Sequence, residues 1–326
     1  MKTFLTRRSI ALTIMLAVVA LLARFAEHYW LLELLTHLTW HVFLVAIILT
    51  LLLLSLRKPG WALLAFGLTV NQFTLIDGYQ GVNAETCIAG KGGEELTVLQ
   101  FNISSRNETP GAVQDWLEMH RPLPDIILLF EATDRIAGYI KKMKATHWPY
   151  VLTAYRSDNY GIAVVSSIEK ARLVLENIGD PHFPSLVIKG MTDVKEIPFT
   201  LVATHPPPPL THALAGARNR QFIALARRLQ QDESPNRILV GDLNVTPWSP
   251  WFRKLLVDAG LRNSQTGKRV AGTYPAYGLP SFLAIPIDHA LVSPNIEVLE
   301  RVVGPGSGLG SDHRPVGTRL RLRSCS

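Results

Sequence analysis

The chain has 326 residues, 48% of them hydrophobic, with 33 Lys and Arg against 26 Asp and Glu for a net charge of +7. That length admits one large domain or two ordinary ones and excludes a longer array. The modest basic excess suits an anionic partner and plain solubility equally well, so charge does not select a partner.

The apolar residues are concentrated near the N-terminus. Residues 9–26 are almost wholly apolar, residues 38–56 are rich in Leu, Ile and Val, and residues 61–76 form a shorter run interrupted by Asn71. A membrane-spanning helix needs about 17–25 mostly apolar residues, so the pattern predicts three transmembrane helices within an N-terminal anchor at 1–80. A cleaved leader fits poorly, because no small-x-small cleavage site follows the first run and two more runs do. Lys2, Arg7 and Arg8 precede the first run and Arg57 and Lys58 precede the third, whereas residues 27–37 carry no Lys or Arg. Basic flanks stay in the cytoplasm, which predicts a multi-pass protein of the inner (cytoplasmic) membrane with everything after the third helix facing the periplasm or outside. Residues 81–95, with Gly81, Gly90, Gly92 and Gly93, read as a flexible linker to a domain at 96–326.

In that domain, residues 96–102 alternate as a strand ending on Asn102. A helix opens at Pro110, and residues 125–130 form a continuous apolar run ending at Glu131, the mark of a strand buried on both faces. After a helix to about residue 144, strands are expected at 150–156, 160–166, 171–176, 185–190 and 197–203. The last runs into Thr204, His205 and four prolines that cannot join a sheet ladder. Residues 212–231 read as a helix. Residues 238–240 read as a short buried strand broken by Gly241, with Asp242 and Asn244 following. A helix near 251–259 precedes strands at 286–292, 296–303 and 315–322.

Asn102, Glu131, His205, Asp242, Asn244, Asp288, Asp312 and His313 each sit inside or at the end of an apolar strand. Each alone has an ordinary reading as a turn, cap or core residue; a Gly-Asp step, for example, favours a turn. Together they read as the lip of one site, because acids near a sheet's core need a cation to neutralise them. Oxygen ligands without a thiolate suit a hard cation, and two histidines suit phosphate binding or proton transfer.

Phe101-Asn102, Leu129-Phe130-Glu131, Tyr160-Gly161-Ile162-Ala163, Thr204-His205, Gly241-Asp242-Leu243-Asn244, Ile287-Asp288-His289 and Ser311-Asp312-His313-Arg314-Pro315-Val316 occur in this order. In these blocks the domain resembles the endonuclease/exonuclease/phosphatase family, in its membrane-anchored bacterial branch. The resemblance implies an α/β fold: a four-layer sandwich of two mainly antiparallel sheets with helices outside. It implies hydrolysis of a phosphodiester or phosphomonoester with Mg²⁺, or Mn²⁺ in its place. Asn102, Glu131 and Asp312 would serve the metal; Asn102, His205, Asn244 and His313 the phosphate; His205, Asp242, Asn244, Asp288 and His313 the chemistry. Among these, Asp242 would orient and deprotonate water and Asp288 would pair with His313. The sequence departs from the family in having Phe130 before Glu131, where Gln is commoner, and in offering only Asp158 as an acid for His205.

The substrate remains open among nucleic acid, a phospholipid headgroup and a small phosphate ester. The lipid bilayer is the other expected partner, and no obligate protein partner is evident. A non-catalytic binding or sensory module on the same fold is the alternative reading. The resemblance also places the first and last strands in one sheet, so Cys87 and Cys325 could approach and form a disulfide in an oxidising compartment.

Overall fold

The computed structural model describes residues 1–77, 93–119, 122–265 and 270–324. The expected linker at 81–95 lies almost wholly outside these residues, as do Cys87 and Cys325. The chain forms two compact units: Met1–Gln80 together with Val245–Arg253, and Gly81–Asn244 together with Lys254–Ser326.

The first unit is helical: α1 (Lys2–Leu22), α2 (Trp30–Thr36), α3 (Thr39–Ser55) and α4 (Pro59–Asp77). The first helix starts at Lys2 rather than residue 9, because basic residues bound an apolar span without ending a helix. Small and aliphatic side chains pack α1, α3 and α4 together: Leu49, Leu53, Ala62 and Ala65 against Ile10 and Leu16, and Val42, Ala46 and Leu68 against Val19 and Ala20. Residues 245–253 are tied to the helices by Ser249 Oγ, which donates to Glu33 Oε1 at 2.7 Å, and by Thr246 Oγ1, 3.1 Å from His37 Nδ1. One helical stretch, Lys2–Phe25, is long and apolar enough to cross a membrane; α2 and α3, bent by 54°, make a second only if taken as one span. Three transmembrane helices are therefore not established. α3 alone has 17 residues, and α4 carries Asn71 and Gln72.

The second unit is a sandwich of two six-stranded mixed sheets. The first contains β1 (Gly93–Asn102), β2 (Ile126–Phe130), β3 (Tyr150–Ala154), β4 (Ile162–Ser166), β11 (Glu297–Val303) and β12 (Val316–Arg323), in the order β11-β12-β1-β2-β4-β3. The second contains β5 (Ala171–Glu176), β6 (Ser185–Met191), β7 (Pro198–Thr204), β8 (Asn236–Asp242), β9 (Arg262–Asn263) and β10 (Asp288–Val292), in the order β5-β6-β7-β8-β10-β9. Each sheet has one parallel pair, β1–β2 and β7–β8; the other pairs are antiparallel. The facing surfaces enclose a core of Leu96, Ile126, Phe130, Leu201, Val240 and Leu320. On the outer face of the first sheet, α5 (Pro110–Met119) and α6 (Ala137–Thr146) bury Val113, Leu117, Ile140 and Met143 against Leu99 and Ile127. Two further helices, α7 (His212–Gln230) and α8 (Pro250–Ala259), follow β7 and β8 in the chain. The first and last strands pair directly, from Gly93↔Arg323 to Gln100↔Val316.

Gly241 does not break its strand: β8 runs through it to Asp242. A Cβ at Gly241 would stand 2.0 Å from the carbonyl oxygen of Thr204, so glycine is required here by the close approach of β7.

Candidate active site

Strand direction gathers the polar residues. Asn102 ends β1, Glu131 follows β2, His205 follows β7 and Asp242 ends β8. Because β10 and β12 run antiparallel to β8 and β1, Asp288 at the start of β10 and His313 just before β12 arrive at the same end.

Asp242 is the centre of the arrangement. Its Oδ2 accepts from Asn102 Nδ2 at 3.0 Å and faces His205 Nε2 at 3.4 Å and His313 Nε2 at 3.5 Å. Its Oδ1 accepts from the Asn244 backbone N–H at 3.0 Å. That bond closes a turn around the carboxylate, the local role expected of a Gly-Asp step, while Oδ2 of the same side chain faces the cluster. Asn102 Nδ2 also donates to Glu131 Oε1 at 3.1 Å, joining two carboxylates through one amide. The backbone N–H of Ser105 donates to Glu131 Oε2 at 2.9 Å. Glu131 (φ 57°) and Asn244 (φ 50°) occupy the left-handed region, where non-glycine residues are strained and often functional.

His313 lies between two acids, with Nδ1 2.9 Å from Asp288 Oδ2. Burial opposes its charge, but the Asp288 and Asp242 carboxylates outweigh burial and push it up to about 10. Burial alone would raise Asp242 too; the His313 and His205 charges instead hold it well below the usual carboxylate range. Burial raises Asp288. His205 is raised because Asp242 outweighs its desolvation.

Among the described residues His205 Nδ1 is buried without a hydrogen-bond partner. Asp158, the acid the sequence offered to His205, lies elsewhere: it pairs with Arg156 and stands 3.7 Å from His182, while Tyr160 and Phe130 flank the His205 ring. Asn244 Nδ2 lies 3.2 Å from His205 Nε2 and donates to Pro206 O at 3.0 Å. Asp312 is half-buried; its carbonyl accepts from Ala276, and its carboxylate makes no hydrogen bond within the cluster.

Several supporting residues escaped the sequence reading. Ser311 Oγ donates to Asn102 O at 2.6 Å and accepts from His313 N at 3.0 Å, splicing two strand ends. Thr273 Oγ1 accepts from Asp288 N, and the Tyr274 ring lies 5.0 Å from that of His313. Arg218, fully buried on α7, donates from Nη1 to Asn244 O at 3.4 Å. Ser311 had a signal in its place beside Asp312 and His313; Thr273 and Arg218 had none, lying in a loop and on a helix far off in sequence.

Asp242, Asp288 and His313 present ligand atoms within 4.8 Å of one another, a group that could bind a metal ion. Both nitrogens of His313 already face carboxylates, however, Nδ1 at 2.9 Å from Asp288 and Nε2 at 3.5 Å from Asp242. A hard cation is better matched by the oxygens beside Asn102 and Glu131, which carry no competing imidazolium. Chemically, the cluster offers a carboxylate that can orient water, two imidazoles and amide groups converging on one point.

A sequence profile described as the Endonuclease/Exonuclease/phosphatase family matches residues 99–313. No curated protein matches the chain. Among solved structures, an endonuclease/exonuclease/phosphatase from Bacteroides vulgatus is 15% identical, with a TM-score of 0.57 over 71% of this chain and 100% of that one. The human Nocturnin catalytic domain, with bound sulfate anion, is 14% identical, with a TM-score of 0.56 over 70% and 94%. D. rerio TDP2, complexed with a single strand DNA product, is 15% identical, with a TM-score of 0.55 over 70% and 99%. At these identities the likeness is one of fold.

Proposed function

Because the chain belongs to the endonuclease/exonuclease/phosphatase family, we propose that its second unit is a divalent-metal-dependent phosphoester hydrolase, carried outside the cytoplasm by a helical membrane anchor. The observation that carries the catalytic reading is the convergence of Asn102, His205 and His313 on one oxygen of Asp242, with Asp288 behind His313. A decayed binding module has no need to keep two buried acids and two buried histidines in register.

In this reading Asp242 accepts a hydrogen bond from the attacking water and orients it in line with the phosphorus. His313, held cationic by Asp288, donates to a non-bridging phosphoryl oxygen as negative charge builds there. His205 and the Asn244 amide hold the phosphate from the other side. Glu131 and Asn102 would hold Mg²⁺ or Mn²⁺, which would polarise the phosphoryl group and acidify water. Asp312 is left as a neighbour that adds negative charge near His313. The working division is an anchor at 1–80 and a catalytic domain at 96–326.

The anchor reading is supported by apolar side chains exposed on the outside of the bundle: Ile14 and Val18 on α1, Ile48 and Leu51 on α3, Leu63 and Phe66 on α4. Large apolar side chains exposed on three helices suit lipid rather than water. If α1 and a joined α2–α3 both cross, an outward catalytic unit further requires α4 to cross; its 19 residues extend about 28 Å, close to the hydrocarbon thickness.

The substrate is drawn from nucleic acid, phospholipid and small phosphate esters. The test is release of product from single-stranded DNA, RNA, phospholipid vesicles and sugar phosphates, with Mg²⁺, Mn²⁺ or chelator. Metal-dependent hydrolysis of one class, abolished by Asp242→Ala in a folded protein, is expected. Turnover undiminished in chelator would overturn the assignment.

A further inference from the structure

The helical unit contains two adjoining cavities of opposite character. One, of about 180 Å³, is lined by Arg24, Glu27, Gln72, Trp248 and Arg253 along its polar side. The other, of about 590 Å³, is an apolar groove on α1 and α4 lined by Ala17, Leu21, Leu63, Leu64 and Leu68. Ala20 and Arg24 line both, so the two meet at the Arg24 side chain. Gly60 and Gly67 leave the groove open along α4, with no atom within 4 Å of where a Cβ would be.

The polar cavity is built for an anion. Arg24 and Arg253 oppose one acid, Glu27, for a net charge of +1, and none of the three forms an ion pair among the described residues. Arg24 is oriented by the Asn71 side-chain oxygen. Gln72 is 3% exposed and lines the cavity, and among the described residues its amide makes no hydrogen bond. A buried amide without a partner is costly unless a ligand or water meets it.

We infer that this pair of cavities binds a glycerophospholipid, its monoanionic phosphodiester in the polar cavity against Arg24, Arg253 and Gln72, and an acyl chain in the α1/α4 groove. Free phosphate would meet the cationic side chains but leave the groove unfilled; a neutral diglyceride would fill the groove but leave the cationic side chains unmatched. The inference rests on the membrane-embedded reading of the helices, which resistance to alkaline carbonate extraction tests separately, and it does not depend on what the catalytic unit hydrolyses.

The experiment uses the full chain in dodecyl maltoside, with binding followed by native mass spectrometry and by melting temperature. The probes are dioleoylphosphatidylglycerol, dioleoylglycerol, glycerophosphoglycerol and inorganic phosphate. One phosphatidylglycerol per chain, bound saturably and with at least tenfold higher affinity than any other probe, is expected. The Arg24→Gln/Arg253→Gln double variant should lose at least tenfold in affinity, and Gln72→Met should weaken binding without loss of fold. Equal binding of dioleoylglycerol would overturn the phosphodiester assignment, and equal binding of glycerophosphoglycerol or inorganic phosphate would overturn the lipid assignment. These probe comparisons are made on the parent chain and stand even if a variant fails to fold.

Discussion

Asp288 stands directly across the β8–β10 ladder from Asp242, and His313 is bound to the first while facing the second, at 2.9 Å and 3.5 Å. Two buried acids opposite one another would repel; the imidazolium makes the pair tenable. His313 is raised from 6.5 to about 10, so its stabilising share is complete below about pH 6.5 and is lost as pH rises through about 10. Asp288→Asn removes one carboxylate of the two. The variant should be less stable than the parent near pH 7, and the gap should shrink above about pH 10. Denaturant unfolding of metal-free protein at the two pH values measures it; a gap independent of pH would contradict the ion-pair account. Activity should fall about 10²-fold or more, as when a charge-stabilising group is lost.

The Asn102 amide joins Glu131 and Asp242. Replacing it with Leu keeps the volume and removes the one donor the two carboxylates share. The variant should melt lower than the parent in chelator. In the parent chain Mg²⁺ should raise the melting temperature, and Asn102→Leu and Glu131→Gln should each reduce that rise; a rise unchanged in Glu131→Gln would count against a cation at Glu131.

Gly241→Ala places a methyl group 2.0 Å from Thr204 O, against backbone that cannot swing aside. Overpacking of this kind costs about 1–3 kcal/mol, and here the displaced strand ends carry His205 and Asp242. The substitution should lower both the unfolding free energy and kcat. Retention of both at parental levels would show that the β7–β8 contact is softer than its geometry.

Membrane orientation turns on whether the number of crossings is odd. If α1 crosses alone, or α1, a joined α2–α3 and α4 all cross, reporters active only outside the cytoplasm should work when fused after Gly93 and after Ser326. If instead only α1 and a joined α2–α3 cross, the same fusions should be silent and cytoplasmic reporters active, because two crossings return the chain to the side of Lys2, Arg7 and Arg8.

Much of the site was legible from one end of each strand. Apolar runs closing on Asn102, Glu131, His205 and Asp242 mark strand ends, and a buried strand exposes its polar terminus only at the rim. What joins those rims is set by pairing direction, which no local pattern encodes. The position of Asp158 shows the limit: near Tyr160 in sequence, it is engaged by Arg156 and His182, while Tyr160 itself lies beside His205.

The sequence by itself determined most of the elements, the apolar N-terminal helices and most of the polar strand ends that converge in the candidate site, because periodicity and chain-end chemistry are local properties. Only the tertiary structure decided the partners. Asp242 gathers Asn102, His205 and His313 from three other segments, Ser311 splices two strand ends, Thr273 supports Asp288, and Gly241 is present for the proximity of Thr204. Those relations join residues tens to hundreds of positions apart. They exist because two parallel strand pairs bring their carboxyl ends to one edge of the sandwich, where buried charges are stable only in one another's company.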